Sequence, residues 1–181
     1  KGGSAPAELE SNALEQAYRT YFSTSRSVTA AARAALQVIN NLLLQHNQES
    51  IHTQVTADCL CLVFRSNELY CVQAGPGSLY IWHNDRPLER QPHTQQAART
   101  LGVATALDVR YAHTYLQVGD VLVLTQQPPK TWNEPALGAL PSHDIPRFLQ
   151  ALGQLSDKNL NGFIAQLISE KDEPQLESQI V

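Results

Sequence analysis

The chain of 181 residues has the length of one ordinary domain, and its content of 43% hydrophobic and 17% charged residues is typical of a soluble globular fold. A net charge of −4 without a basic run argues against a nucleic-acid partner. No apolar stretch reaches the ~20 residues that a membrane span needs, and no signal segment is present, so we expect a cytoplasmic protein without a membrane contact.

The sequence predicts two helices first. Apolar residues recur at helical spacing from Glu8 to Phe22, and Ser27 is placed to cap a second helix that ends near Asn47. Because the chain starts at Lys1 and contains no Met, we expect it to be a fragment or a processed chain. The apolar positions of the first helix are Leu14, Ala17, Tyr18, Tyr21 and Phe22, and those of the second are Val28, Ala31, Ala35, Leu36, Ile39, Leu42 and Leu43.

After the helices, the hydrophobic period changes to that of strands. Residues 55–64 predict a strand buried on both faces, and short strands at 69–74 and 78–82 continue it as an antiparallel meander. The turn between the last two, Gly75-Pro76-Gly77, precedes a strand and lacks the proline N–H, so it is a bend rather than a phosphate-binding loop.

The second half begins with a polar connection, 88–106, that has room for a short helix around 95–101. Strands at 109–116 and 121–124 predict another hairpin, which ends at paired prolines. A helix from about 145 to 155 and a strand from about 160 to 168 follow. The order predicts an α+β fold with antiparallel sheets, a single domain over 1–169 and a polar tail over 170–181.

The three cysteines lie in strand-like runs, which favours reduced core residues over a disulfide framework. If the hairpin turns at Ser66 and Asn67, Cys71 lies on the opposite face from Cys59 and Cys61. The six histidines show no i, i+4 pair and predict solvated or turn positions rather than a zinc site. Trp82 and Trp132 are expected in the core or at its rim.

Three motifs in this order resemble the metal-dependent PP2C-type (PPM) serine/threonine phosphatases. "LYCVQAGPGSLYI" (69–81) is similar to the family's stretch around "GDSR", "RTLGV" (99–103) leads into "VGDVLVLTQQPPKTW" (118–132) where the family has "SDG", and "KNLNGFIAQL" (158–167) occupies the place of "DN". The resemblance covers about residues 8–168 and implies a layered sandwich of antiparallel sheets flanked by helices, with the N-terminal strands of the family missing from this chain.

The resemblance also implies where the family's acids would stand. Its Asp at the metal centre corresponds to Pro76, and its two metal-ligating Asp residues correspond to Gln127 and Lys158. Phosphoester hydrolysis of this type uses two Mg²⁺ or Mn²⁺ ions, which prefer carboxylate ligands. Asp157 is the one weak replacement, and the Asp120 position is structural in the family.

We therefore expect a catalytically inactive PP2C-like domain, a pseudophosphatase with a binding or regulatory role in bacterial signalling. We expect no catalytic residue, no metal and no cofactor; the partner would be a protein or phosphoprotein. The vestigial pocket would be lined by Pro76, Gly77, Ser78, Gln127 and Lys158. Two alternatives stay open: an active Mg/Mn-dependent phosphatase whose remaining ligands lie in a missing N-terminal segment, and a chance resemblance of an unrelated α+β domain.

Overall fold

The structure, a computed structural model of the chain, describes residues 7–50, 54–91, 99–156 and 161–169. These residues form helices and antiparallel strands, which confirms the α+β class. No helix among them is long and apolar enough to cross a membrane. The elements in chain order are α1 Ala7–Ser23, α2 Val28–Glu49, β1 Cys59–Arg65, β2 Glu68–Ala74, β3 Ser78–Trp82, β4 Glu89–Gln91, β5 Arg110–Tyr115, β6 Val121–Thr125, α3 Glu134–Gly138, α4 Ile145–Gln154 and β7 Gly162–Gln166.

The strands form two sheets, with the orders β1-β2-β5 and β4-β3-β6-β7. The described chain divides into two compact units that follow this separation. The first unit holds the described residues up to Pro76 and those from 99 to Thr114. The second unit holds the described residues from Gly77 to Gln91 and from Tyr115 onward.

This topology corrects both predicted connections. The meander is wrong, because β2 pairs with β1 and β5 whereas β3 pairs with β4 and β6. The hairpin of β5 with β6 is wrong as well, since the two strands belong to different sheets. Gly75, at φ +83°, and Gly119, at φ +93°, lie in the two connections. A glycine turn bends the chain equally well within a sheet or out of it, so the turn residues could not distinguish the two cases.

In the first unit, α2 packs against the strands β1 and β2, and α1 packs against α2. The Ser27 cap is confirmed, since its hydroxyl accepts a hydrogen bond from the Ala30 amide at 3.3 Å. Helix α2 buries the predicted apolar face except for half-buried Leu42. Helix α1, in contrast, buries the small residues Ala13 and Ala17. Three of the large apolar residues of its predicted face are exposed: Leu14, Tyr18 and Phe22.

Two asparagines of α2 fix the loops around the first core. Buried Asn40 donates to the Ala104 carbonyl at 2.9 Å and accepts from the Gly102 amide at 2.8 Å. Asn47 exchanges hydrogen bonds with the backbone of Val55 at 2.7 and 2.8 Å. Buried backbone groups need such partners, and the loops that carry them are thereby tied to the helix.

The β1–β2 hairpin has the predicted register, with Leu62 opposite Cys71 and Cys61 opposite Val72. All three cysteines are free thiols. Burial raises the pKa of Cys59 and of Cys71 to about 12. The strand itself differs from the prediction: it begins at Cys59, and its residues are half-buried or exposed because β1 is an edge strand.

The second unit has its core around β3 and β6, whose residues are buried with the single exception of Leu124. Trp82 and Trp132 both belong to this core, as predicted. The Trp82 indole donates to the Leu137 carbonyl at 2.8 Å and meets the Phe148 ring edge-on at 5.0 Å. Two short elements here, α3 and β4, have no counterpart in the sequence prediction.

Candidate functional site

Three strands of the second sheet end in one row. Ser78, the first residue of β3, pairs with Thr125, the last of β6, and Thr125 pairs with Gly162, the first of β7. The Thr125 hydroxyl also donates to the Asn161 carbonyl at 3.1 Å. We call this row the strand-end row. The row brings together residues from the three motifs that carry the PP2C resemblance. These motifs lie far apart in the sequence.

The predicted site residues have different positions relative to this row. Gly77 precedes Ser78 and is half-buried, and Gln127 follows Thr125 by two residues and is exposed. Pro76 is exposed and belongs to the first unit. Gly77 and Ser78 thus lie at this end of the sheet, and Gln127 lies in the segment that leaves β6 at the same end. Asp157 and Lys158 lie outside the described residues.

Ser78 is buried beneath a charged side chain. Its Oγ accepts a hydrogen bond from Nη2 of Arg90 at 3.3 Å. The guanidinium also lies over the Tyr80 ring, with Cζ 5.7 Å from the ring centroid. Arg90 was not among the predicted site residues. Strand β4 lies within the predicted polar connection, and its three residues are too few to show the alternation of a strand.

A carboxylate lies against the turn at the end of the first unit. Asp58 Oδ1 is 2.1 Å from the point where a Cβ on Gly75 would stand, so a side chain there would force the Asp58 carboxylate to move. This oxygen is buried and has no hydrogen-bond partner among the described residues. Burial raises the pKa of Asp58 above its ordinary value. The side-chain amide of Gln73 donates a hydrogen bond to the Gly75 carbonyl at 3.0 Å and stabilises the turn.

The donor groups at the strand-end row do not fit a pair of Mg²⁺ or Mn²⁺ ions. These hard cations need several carboxylate oxygens for ligation and charge balance. Gly77 offers no side chain, Ser78 offers a neutral hydroxyl and Gln127 a neutral amide. Across the described ranges, no group of three or more His, Cys, Asp or Glu residues is placed to hold a metal ion.

The sequence analysis missed a buried polar network at the other end of β3. His83 Nδ1 lies 2.8 Å from Asp120 Oδ2, and Nε2 lies 3.2 Å from Glu89 Oε2. Asp120 Oδ2 also accepts a hydrogen bond from the backbone N–H of Gln117 at 2.9 Å. His83 therefore lies in the connection after β3, in keeping with the predicted turn position, but its side chain is buried. The network ties the turns that flank β3 and β6, in agreement with the structural role predicted for Asp120.

A cavity of about 280 Å³ opens beside this network, within the second unit. Its walls include Trp82, His83, Arg86, Leu88 and Glu134. Trp82 and His83 mark the end of β3 opposite to Ser78, so the cavity is separate from the strand-end row. Arg86 is already engaged, because its guanidinium donates to the Tyr115 carbonyl.

The arrangement of helices and antiparallel sheets is that of the PP2C-like phosphatase fold. This chain is similar in structure to PppA, "a key regulatory component of T6SS in Pseudomonas aeruginosa", at 20% identity and TM-score 0.61. The match covers 86% of this chain and 75% of the PppA chain. It is also similar to the serine/threonine phosphatase PstP/Ppp of Mycobacterium tuberculosis, at 16% identity and TM-score 0.61, covering 93% and 86%. The catalytic domain of PstP with two manganese ions matches at 14% identity and TM-score 0.63, covering 93% and 85%.

The sequence comparison gives the family. Residues 1–125, more than half of the chain, match the family model described as Stage II sporulation protein E (SpoIIE). The chain therefore belongs to the SpoIIE family of PP2C-like phosphatase domains. A comparison with curated proteins finds no match.

Proposed function

We propose that this chain is a catalytically inactive PP2C-like domain that serves in binding or regulation in a bacterial cytoplasm. Its partner would be a protein or phosphoprotein, and it would need no cofactor. The single domain over 1–169 and the tail over 170–181 stay part of this proposal.

The observation that carries the proposal is the chemistry of the strand-end row. The proposal is supported by the pairing of Ser78 with Thr125, since Gly77 precedes Ser78 and Gln127 follows Thr125 by two residues, within the motifs that the resemblance aligns with the family's metal-binding segments. None of these side chains is a carboxylate, and Pro76, next to Gly77 in the sequence, has no side-chain donor at all. Without carboxylates the edge lacks both the ligands and the negative charge that would hold two divalent cations.

A second candidate function is metal-dependent phosphatase activity, with further ligands supplied from outside the described residues. Asp58 is the observation that favours it, because a carboxylate oxygen without a hydrogen-bond partner lies against Gly75. The PstP structure with two manganese ions belongs to the same fold. We favour the inactive domain, since a single carboxylate is a poor ligand set for two divalent cations.

Hydrolysis of a generic aryl phosphate by the full-length protein separates the two functions. The inactive domain predicts the same background rate with Mn²⁺, with Mg²⁺ and with a chelator. Turnover that requires Mn²⁺, is abolished by the chelator and is lost in Asp58→Asn would overturn the proposal. Arg147→Gln, at an exposed position of α4, is a control variant that should leave the measured rate unchanged in either case.

A further inference from the structure

Arg90 places a positive charge at the strand-end row. It lies on β4 opposite Tyr80, and its guanidinium reaches along β3 to the Ser78 hydroxyl at 3.3 Å. The Tyr80 ring supports the guanidinium from one side, with Cζ 5.7 Å from the ring centroid. Two neighbours that lie on the same face of β3 therefore hold the Arg90 side chain over this end of the sheet.

The guanidinium keeps donors for a ligand. Arginine carries five N–H donors, and the hydrogen bond to Ser78 occupies one of them. Other arginines of the described chain, Arg19 and Arg147, form ion pairs with carboxylates of their own helices. Arg90 has no such carboxylate partner among the described residues, and its side chain is exposed. Its charge is thus available at the surface.

Among the described residues, the two side chains that contact Arg90, Ser78 and Tyr80, are neutral groups. Burial raises the pKa of the Tyr80 phenol and outweighs the opposite effects of the Arg90 charge and the Ser78 hydrogen bond, so the phenol stays uncharged at neutral pH. Gly77 and Gln127 add no charge. An edge with a supported cation and no acid among these groups attracts anions, which is the reverse of what a metal centre requires.

We propose that Arg90, seated on Ser78 and Tyr80, binds a phosphoryl group at the strand-end row without a metal ion. A phosphate monoester carries nearly two negative charges and three terminal oxygens, so it gains more from a guanidinium than a carboxylate does. The inference rests on the proposed function, because an edge that held two divalent cations would bind phosphate through them. It assigns the chemistry by which an inactive domain would recognise a phosphorylated partner.

Calorimetric titration of the full-length protein in the presence of a chelator tests the inference. The probes are inorganic phosphate, a phosphoserine peptide, the same peptide unphosphorylated and the same peptide with glutamate in place of phosphoserine. Binding of the phosphoserine peptide alone identifies a phosphoprotein ligand, and equal binding of inorganic phosphate identifies the free anion. Equal binding of the glutamate or the unphosphorylated peptide would overturn phosphoryl recognition, as would no binding of either phosphoryl probe.

The Arg90 variants locate the site. Arg90→Gln should weaken phosphate binding about tenfold, the range expected for one charge-assisted contact near a surface, and Arg90→Lys should lie in between. Arg147→Gln removes the same charge from the same unit and should bind as the wild type does. Equal affinity of the Gln variants at 90 and 147, with unchanged circular dichroism, would overturn the assignment. Mn²⁺-dependent hydrolysis would instead overturn the proposed function. The phosphate affinities of the Gln variants at 90 and 147 would still show whether Arg90 contacts the phosphoryl group.

Discussion

Asp58 Oδ1 occupies the space that a Cβ on Gly75 would need, at 2.1 Å from that position. The glycine also has φ +83°, a conformation that residues with a side chain rarely adopt. The turn that leads out of the first sheet therefore packs against a carboxylate, and both the backbone conformation and this contact favour glycine at position 75.

Gly75→Ala should lower the free energy of unfolding by about 1–3 kcal/mol, because it combines backbone strain with a steric clash. Chemical denaturation measures this loss. The double variant Asp58→Ala/Gly75→Ala should recover the steric part and keep the strain. Gly153→Ala, on α4 with no atom within 4 Å of the added Cβ, is the matched control and should be neutral or stabilising. Equal losses at positions 75 and 153 would refute the close contact.

The raised pKa of Asp58 makes stability depend on pH. The folded state binds the proton more tightly than the unfolded state, so stability is highest below the ordinary pKa of 3.8 and falls as pH rises through the raised folded value. Asp58→Asn should flatten the pH dependence in this window and leave the variant at least as stable as the wild type at neutral pH. Thermal unfolding measured from pH 3 to 7 tests this, and an unchanged slope would contradict the burial argument.

Asn40 should contribute more to stability than its polar character suggests. Its amide joins α2 to the loop at Gly102 and Ala104, and Asn40→Ala would leave buried backbone groups without partners. We expect a loss of about 1–3 kcal/mol in the free energy of unfolding. Asn41→Ala, at the exposed neighbour whose side-chain oxygen accepts a hydrogen bond from Gln37 of the same helix, should change it by less than about 0.5 kcal/mol. Similar losses in both variants would count against the anchoring role.

The thiols of Cys59 and Cys71 should be almost unreactive in the folded protein. Burial raises both pKa values from 9.0 to about 12, which lowers the thiolate fraction near pH 8 by about a thousandfold. Alkylation by iodoacetamide, followed by mass spectrometry of the labelled peptides, should therefore be slow in buffer and fast in guanidinium chloride. Rapid labelling of either cysteine in buffer would show that its thiol is not buried.

The sequence predicted the elements whose signals are local. Ser27 marks the start of α2 by its side-chain chemistry, and the turn at Ser66 and Asn67 sets the register that separates Cys71 from Cys61. The core of the second unit was indicated equally well, because the first four residues of β6, 121–124, are apolar without interruption. In each case the deciding residues lie close together in the chain.

Pairings between distant segments could not be predicted in this way. The partner of His83 is Asp120, 37 residues away, and neither residue carries a signal for the other. The exposed face of α1 was misjudged because Leu14 and Tyr18 have the same helical spacing as Ala13 and Ala17, and only packing decides which face is buried. The position of Arg90 likewise depends on β4, a strand of three residues, which is too short to show a hydrophobic alternation in the sequence.

The strand-end row was predicted from the family resemblance rather than from local sequence signals. The motifs around Ser78, Gln127 and Gly162 were aligned to a family, and the sheet register then placed their flanks side by side. The resemblance supplied the framework, whereas the residue chemistry supplied the expectation that metal ligands are lacking.

Titration of the full-length protein with Mn²⁺ by isothermal calorimetry tests the central claim most directly. An inactive domain with Ser78 in its strand-end row, and Gly77 and Gln127 beside that row in the sequence, should show no saturable heat at millimolar Mn²⁺. Saturable binding of two ions per chain that is weakened by Asp58→Asn, but not by the surface variant Arg147→Gln, would contradict the account and establish a metal centre in this protein.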